Sequence, residues 1–455
     1  MSLSATAVLP LVGAFIAICA YMKLRARSYR NRHLPPGPSR LPIVGNVLDI
    51  PAEEQWKTYT RWAQLYAPPH SEMLPMVGFD WSFGTMRYGQ SWRRHRRMFH
   101  QFFHQNAVKI YQSNLVRIAP QLLKRLYQEP KGVAQHISHV VGVQILSVTY
   151  GIEPTASDDK YVGVLERAMY GINQAFHPGS FLVDYLPFLK YLPAWAPGAE
   201  FKKKAARWKV DSLAMRHVPW ENVVTYMEEE QIAKNVAGVA YAGMTSSTIS
   251  TLQFFFLAMV QFPEVQRRAQ AELDKVVGSH RLPDFSDRAS LPYVNALCKE
   301  CLRWKPVVPL GLAHQSLEDD TYNGYMIPGG TILFQNTWAI LQDPEEYPEP
   351  EQFKPERYLK DGKMNPDVMD PALVAFGSGR RICPGRYLSD ISLFINIASV
   401  LHSFKISPAV DLMGQPLRCE PKMITGLILH PEPFDCTIMP RSDLVETLFL
   451  GRDEE

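Results

Sequence analysis

Residues 228–262, EEEQIAKNVAGVAYAGMTSSTISTLQFFFLAMVQF, constrain this chain more than any other stretch. The run keeps helical spacing to its end at Pro263, and it is too apolar to lie on a surface. A helix apolar on nearly all sides needs neighbours on nearly all sides, so it predicts a central core helix. Other helices surround it in the sequence. DDKYVGVLERAMYGINQAF (158–176) and EFKKKAARWKVDSLAM (200–215) have helical spacing. FPEVQRRAQAELDKVVG is amphipathic, with Pro263 near its start and Gly278 just past its end. Strand signals are few. The clearest is NGYMIPGGTILF, where Asn323-Gly324 and Gly329-Gly330 punctuate short β-prone runs. The expected fold class is mainly α with a minor β-sheet, and there is no internal repeat or low-complexity tract.

The N-terminus reads differently. Leu3 to Met22 carries no charge, and about 20 apolar residues span a bilayer core. Lys23, Arg25, Arg27, Arg30 and Arg32 follow it. Basic residues after an apolar run, rather than before it, favour an uncleaved N-terminal transmembrane helix with the rest of the chain in the cytosol. The competing reading is a buried or cleaved segment. LPPGPSRLPIVGN then makes a stiff strap, because its prolines cannot continue a helix. The expected organisation is an anchor at 1–22, a basic and proline-rich linker at 23–40, and a globule at 41–455. The formal net charge of +3 argues against a nucleic-acid partner. Six scattered cysteines do not make a disulfide framework, which suits a reducing compartment.

FGSGRRICPG (376–385) sets one cysteine among glycines and arginines, ahead of an apolar helical run. Tyr387, Ile391, Ile395, Ala398 and Leu401 recur at helical spacing, so Cys383 would sit at the start of a buried helix. The ordinary fate of a free cysteine is a small buried hydrophobe. Against that reading, the neighbouring arginines and the free amides of a helix start both favour a thiolate. The pattern Phe376-x-x-Gly379-x-Arg381-x-Cys383-x-Gly385 resembles the haem-binding loop of the cytochrome P450 family. That resemblance implies a P450-like fold, haem b as cofactor, and Cys383 as axial ligand to its iron, with Phe376 in the cofactor-binding loop.

Other segments resemble the family independently. Glu300 and Arg303 of KECLRW, with Arg357 of FKPERY, read alone as ordinary surface ion pairs. By resemblance they form a buried carboxylate–guanidinium network that locks the core around the haem loop. Trp92 and Arg96 of SWRRHRRMF lie four apart on one helical face, and both are donors suited to a carboxylate. By resemblance they hold a haem propionate, together with Arg381 and His314. The neighbouring Arg93, Arg94 and Arg97 suit an acidic electron donor as well as a solvated face. Two lookalikes are set aside. Cys298-x-x-Cys301 has redox-motif spacing without its structural context, and His100-x-x-x-His104 has no third ligand.

The resemblance covers nearly the whole chain, to about Pro440. It is closest to fungal microsomal members, similar to relatives of O-methylsterigmatocystin oxidoreductase. The chain departs from them in three places. It is shortened after Tyr66, and again around Val218–Glu230. In the central helix, Ser246 replaces the family's acid, Ser247 its threonine, and Met244 a glycine. Ser246 and Ser247 are the residues left to relay protons. The implied function is oxygen insertion from O2 into a lipophilic small molecule, in fungal secondary metabolism. Electrons would come from NADPH through NADPH–cytochrome P450 reductase, at the endoplasmic reticulum membrane, with the catalytic domain facing the cytosol. The alternatives are a haem-thiolate enzyme using peroxide, an isomerase or dehydratase, and a truncated non-catalytic paralogue.

Overall fold

The computed structural model describes residues 73–450, apart from 153–159, 177–180, 182, 184–186, 224–228 and 444. The expected anchor at 1–22, the linker at 23–40 and the junction at Tyr66–Ala67 lie outside the described residues. The chain divides into two compact units, one of residues 1–70 and 313–334, the other of 71–312 and 335–455.

Nine helices of 13 residues or more are present among the described residues, all in the larger unit. In chain order they are α1 (Gln90–Phe103), α2 (Gln112–Gln128), α3 (Val133–Tyr150), α4 (Lys160–Ala175), α5 (Glu200–His217), α6 (Glu230–Gln261), α7 (Pro263–Val276), α8 (Pro292–Trp304) and α9 (Arg386–Ser403). The strands form two-stranded antiparallel pairs rather than one sheet. In the smaller unit, β2 (Asp320–Tyr322) and β3 (Tyr325–Ile327) make a hairpin, while β1 (His314–Gln315) pairs with β4 (Ile332–Leu333). Asn323-Gly324 forms the hairpin turn, as that dipeptide does between strands.

Helix α6 organises the larger unit. Of its 32 residues 22 are buried, and it packs against α1, α3, α5 and α9. By length and composition it is the one described helix able to cross a membrane, but 72% of its apolar window is buried inside the protein. It is therefore a core helix. Pro263 ends it, having no N–H to continue the ladder, and serves instead as the first residue of α7.

Polar clasps fix how the helices meet. Gln144 on α3 accepts from Ser392 Oγ (3.0 Å) and Asn396 Nδ2 (3.1 Å) on α9, all three being buried. His95 on α1 donates through Nδ1 to the Ser91 carbonyl (2.8 Å), leaving Nε2 to accept from Asn235 of α6 (3.1 Å). Buried amides left unpaired are costly, so each clasp selects one register of its two helices.

Near the end of α9, His402 bonds through Nε2 to the Gly278 carbonyl (2.7 Å), while its Nδ1 is buried without a partner. Burial lowers its pKa below the ordinary 6.5, with Arg441 and Arg281 adding to that and the Gly278 bond and Asp274 opposing. A depressed histidine pKa stabilises the fold above the unfolded-state value of about 6.5, and that contribution is lost as pH falls. Wild type should therefore lose more stability than His402→Gln between about pH 7 and pH 5. Parallel urea-midpoint curves over that range would contradict the assignment.

Candidate functional site

Cys383 lies in a turn immediately before α9. Its N–H donates to the Phe376 carbonyl (2.8 Å), and the Ile382 N–H to Gly379 (3.2 Å). Gly377 (φ 73°) and Gly379 (φ 60°) take the left-handed conformations that close this loop. The amides of Gly385 and Arg386, at the start of α9, donate to the Cys383 sulfur. Burial nevertheless pushes the thiol above its ordinary value, opposed by those two amides and by the guanidiniums of Arg96 and Arg386. This corrects the sequence reading in two respects. The flanking Arg380 and Arg381 are turned elsewhere, Arg380 over the Tyr88 ring (5.0 Å) and Arg381 over the Trp92 ring (4.5 Å). Desolvation also outweighs the cations that do face the sulfur, so the isolated group favours the thiol, and a bound metal would draw off its proton.

Helix α1 brings the second set of groups. Arg96 Nη2 donates to the Ile382 carbonyl (2.6 Å), next to the thiol, and Arg381 Nη2 donates to the Met86 carbonyl (2.8 Å). Trp92 is buried beneath the Arg381 guanidinium. Burial lowers the pKa of both Arg96 and Arg381, and neither pairs with a carboxylate among the described residues. Two desolvated guanidiniums lacking an anion, one of them beside a thiol, suit a ligand with two carboxylates and a metal centre. Haem has that chemistry. Arg386, the first residue of α9 and next to that loop, was missed by sequence reasoning. Its Nη1 donates to the Cys383 carbonyl (3.1 Å) and its Nη2 to Tyr387 (2.8 Å).

Helix α6 faces the loop at Gly385. A Cβ built there would lie 2.7 Å from Met244 Sδ and 3.9 Å from Cys383 Sγ. The missing side chain thus leaves a notch beside the thiol, and the Met244 thioether sits in it. Ser247 Oγ donates to the Gly243 carbonyl (2.8 Å) on its own helix. Ser246 is half-buried, and its hydroxyl has no hydrogen-bond partner among the described residues. The hydroxyls of Thr245 and Thr248, which sequence reasoning passed over, are buried without partners. The thiol and the two guanidiniums without a carboxylate partner have the chemistry that would hold a haem, and Met244 of α6 packs against the same loop at Gly385.

Glu300 and Arg303 of α8 are brought together with Arg357. Arg303 donates to both Glu300 oxygens (Nε and Nη2, 2.8 Å each), and Arg357 Nε approaches Glu300 at 3.3 Å. The Lys354 amide also donates to Glu300 (2.8 Å), while Arg303 reaches the carbonyls of Leu341 (3.1 Å) and Gln352 (3.0 Å). The side chains of Glu300 and Arg303 are 0% exposed. Beside them, burial pushes the Cys298 thiol up to about 12 and Cys301 well above its ordinary value, which leaves both as unreactive thiols.

His314 belongs to the smaller unit, where it is exposed and pairs with Leu333; the arrangement described above is built without it. His100 and His104 stack at 5.2 Å, and no metal-binding cluster occurs among the described residues. Trp92, Arg93, Arg96, Arg97 and His100 line an open hollow of about 390 Å³. Arg94, by contrast, is tied to Glu229.

The family described as Cytochrome P450 matches residues 202–438. The chain is similar to Cytochrome P450 monooxygenase COX2 of Coprinopsis cinerea, 38% identical over 497 positions, covering 95% of this chain and 94% of that protein. It is similar to Cytochrome P450 monooxygenase ple1 of Rhodocybe pseudopiperita, 38% identical over 501 positions with 96% and 95% covered. Tryptamine 4-monooxygenase of Psilocybe cyanescens is 35% identical over 499 positions, with 95% and 97% covered. Each alignment is longer than the chain's 455 residues, so stretches of these relatives have no counterpart in it.

Proposed function

The chain belongs to the cytochrome P450 family, a haem-dependent monooxygenase, and from that premise we propose what it acts on and with what. Its substrate is a lipophilic small molecule of fungal secondary metabolism. Electrons come from NADPH through NADPH–cytochrome P450 reductase, whose acidic surface docks at the exposed Arg93 and Arg97 of α1. The enzyme is held at the endoplasmic reticulum membrane by residues 1–22, with its globule in the cytosol.

The observation that carries this reading is the Cys383 sulfur, held by two helix-start amides with Arg96 alongside. Bound through Cys383, the haem supplies activation of dioxygen, which a thiolate ligand favours by pushing electron density onto the iron. Arg96, Arg381 and Trp92 hold the propionates, and the Glu300 network fixes the frame behind the loop. His314 remains a further proposed propionate partner. Along α6, Ser247 has its proton committed to Gly243, and Ser246 has no useful pKa near neutrality. Protons therefore reach the site through water bridged by hydroxyls rather than from a titrating side chain.

Turnover with reductase, NADPH and isotopically labelled O2 tests the proposal, and the product should carry one labelled oxygen atom. In the same reaction Ser246→Asp should raise product formed per NADPH consumed, since a relay group contributes about 10²-fold or more to the step it serves. Ser247→Ala should lower that ratio. A wild type that already couples well, and that Ser246→Asp leaves unchanged, would contradict the relay assignment. The serine in place of an acid at position 246 of α6 favours one second reading, a haem-thiolate enzyme that uses peroxide or that isomerises or dehydrates without O2. Unlabelled product formed without NADPH would select it.

A further inference from the structure

We infer that Arg216 and Lys234 form a binding site for a small organic carboxylate, where the C-terminus of α5 meets the first turns of α6. Gly238 lets the groups gather. A Cβ there would lie 2.9 and 3.0 Å from the six-membered ring of Trp81 and 3.7 Å from Arg216 Cγ, so both side chains lie against α6 at that point. Lys234 is one turn earlier on the same helix face. The Arg216 guanidinium sits over the Trp81 ring (5.5 Å). The α5 C-terminus favours a cation at 216, yet none of its N–H groups makes a hydrogen bond among the described residues. Its Nε is buried without a partner, and so is the indole N–H of Trp81, a residue 7% exposed. Lys234 donates to a neighbouring base, His217 Nδ1 (3.0 Å), rather than to an acid.

Burial lowers the pKa of Arg216, opposed by Asp80. Burial and then Arg216 lower that of Lys234, opposed by Glu230 and Glu221. None of these acids forms an ion pair with either cation, and Glu230 accepts instead from Trp220 Nε1 (3.3 Å). Two desolvated cations without an anion attract one, and the guanidinium fork matches a carboxylate. With three acids nearby, the charge balance suits a monoanion. Asp80 and His217 are exposed, and Arg216 and Lys234 half-buried, so the cluster opens to solvent. It shares no residue with the Cys383 site.

Benzoate is titrated into the full-length protein in detergent, with benzamide as its uncharged isostere and inorganic phosphate as the more highly charged anion. Benzoate should bind more tightly than either. Arg216→Gln should weaken it about tenfold or more, the effect of losing hydrogen bonds to a charged partner, and Lys234→Gln should weaken it less. Equal benzoate affinity in wild type and Arg216→Gln, or benzamide binding as well as benzoate, would overturn the site. Tighter binding of phosphate would overturn the assignment to a carboxylate. Should Arg216→Gln not fold, the indole N–H signal of Trp81 in wild-type protein reads the same point, because the guanidinium lies over that ring. It should move with benzoate and not with benzamide, and an unmoved signal would overturn the site. Cys383→Ala should bind benzoate as wild type does; loss of binding there would put the anion elsewhere.

Discussion

Glu300→Ala should destabilise the protein by about 3–5 kcal/mol and reduce folded yield and haem content together. The magnitude follows from what is left behind. Arg303 is fully buried, and both its bonds to a carboxylate end on Glu300. Removing the acid strands a guanidinium in the core with the carbonyls of Leu341 and Gln352 and the face of Tyr347 but no anion, and it also frees the Lys354 amide. An uncompensated buried charge costs far more than the net worth of the pair. Arg303→Lys should also be damaging, because an ammonium cannot reproduce the two-point fork. The effects should not add: replacing both partners with apolar residues of similar volume should cost less than the two single losses together. Denaturant midpoints of the single and double variants check this. A haem-loaded Glu300→Ala with wild-type thermal stability would contradict it.

The second large effect is at Cys383. Cys383→Ala should lose thiolate ligation completely while keeping the fold. The loop is closed by backbone bonds, from the Cys383 N–H to Phe376 and from the Ile382 N–H to Gly379, and an alanine retains both. What disappears is the sulfur on which the Gly385 and Arg386 amides converge. Cys298→Ala and Cys436→Ala should leave ligation intact, since burial pushes each of those thiols up to about 12.

Features carried by local periodicity were legible in the sequence. Helix α6 could be read from its continuous apolarity and from Pro263, and α4 was expected at 158–176 where Lys160–Ala175 is found. The thiol loop could be read because its glycines, arginine and cysteine are local. Partners distant in sequence could not. Arg96 meets the loop from 286 residues away, and the Lys354 amide meets Glu300 from 54 away. Arg380 and Arg381, just before Cys383, were the natural candidates to ionise it, yet stacking on Tyr88 and Trp92 draws them off. Composition showed that few strands would form, but not that they would remain separate pairs. Met244 was visible as an unusual residue on α6. Only the packing of that helix against Gly385 shows what its bulk occupies.

The presentation of a thiolate to haem iron by Cys383 is tested most directly by the ferrous–CO difference spectrum of the full-length protein, recorded beside that of Cys383→Ala. Wild type should show the red-shifted Soret band of thiolate ligation, and the variant should lack it. A wild-type band without that shift, or a shifted band that survives in Cys383→Ala, would contradict the assignment.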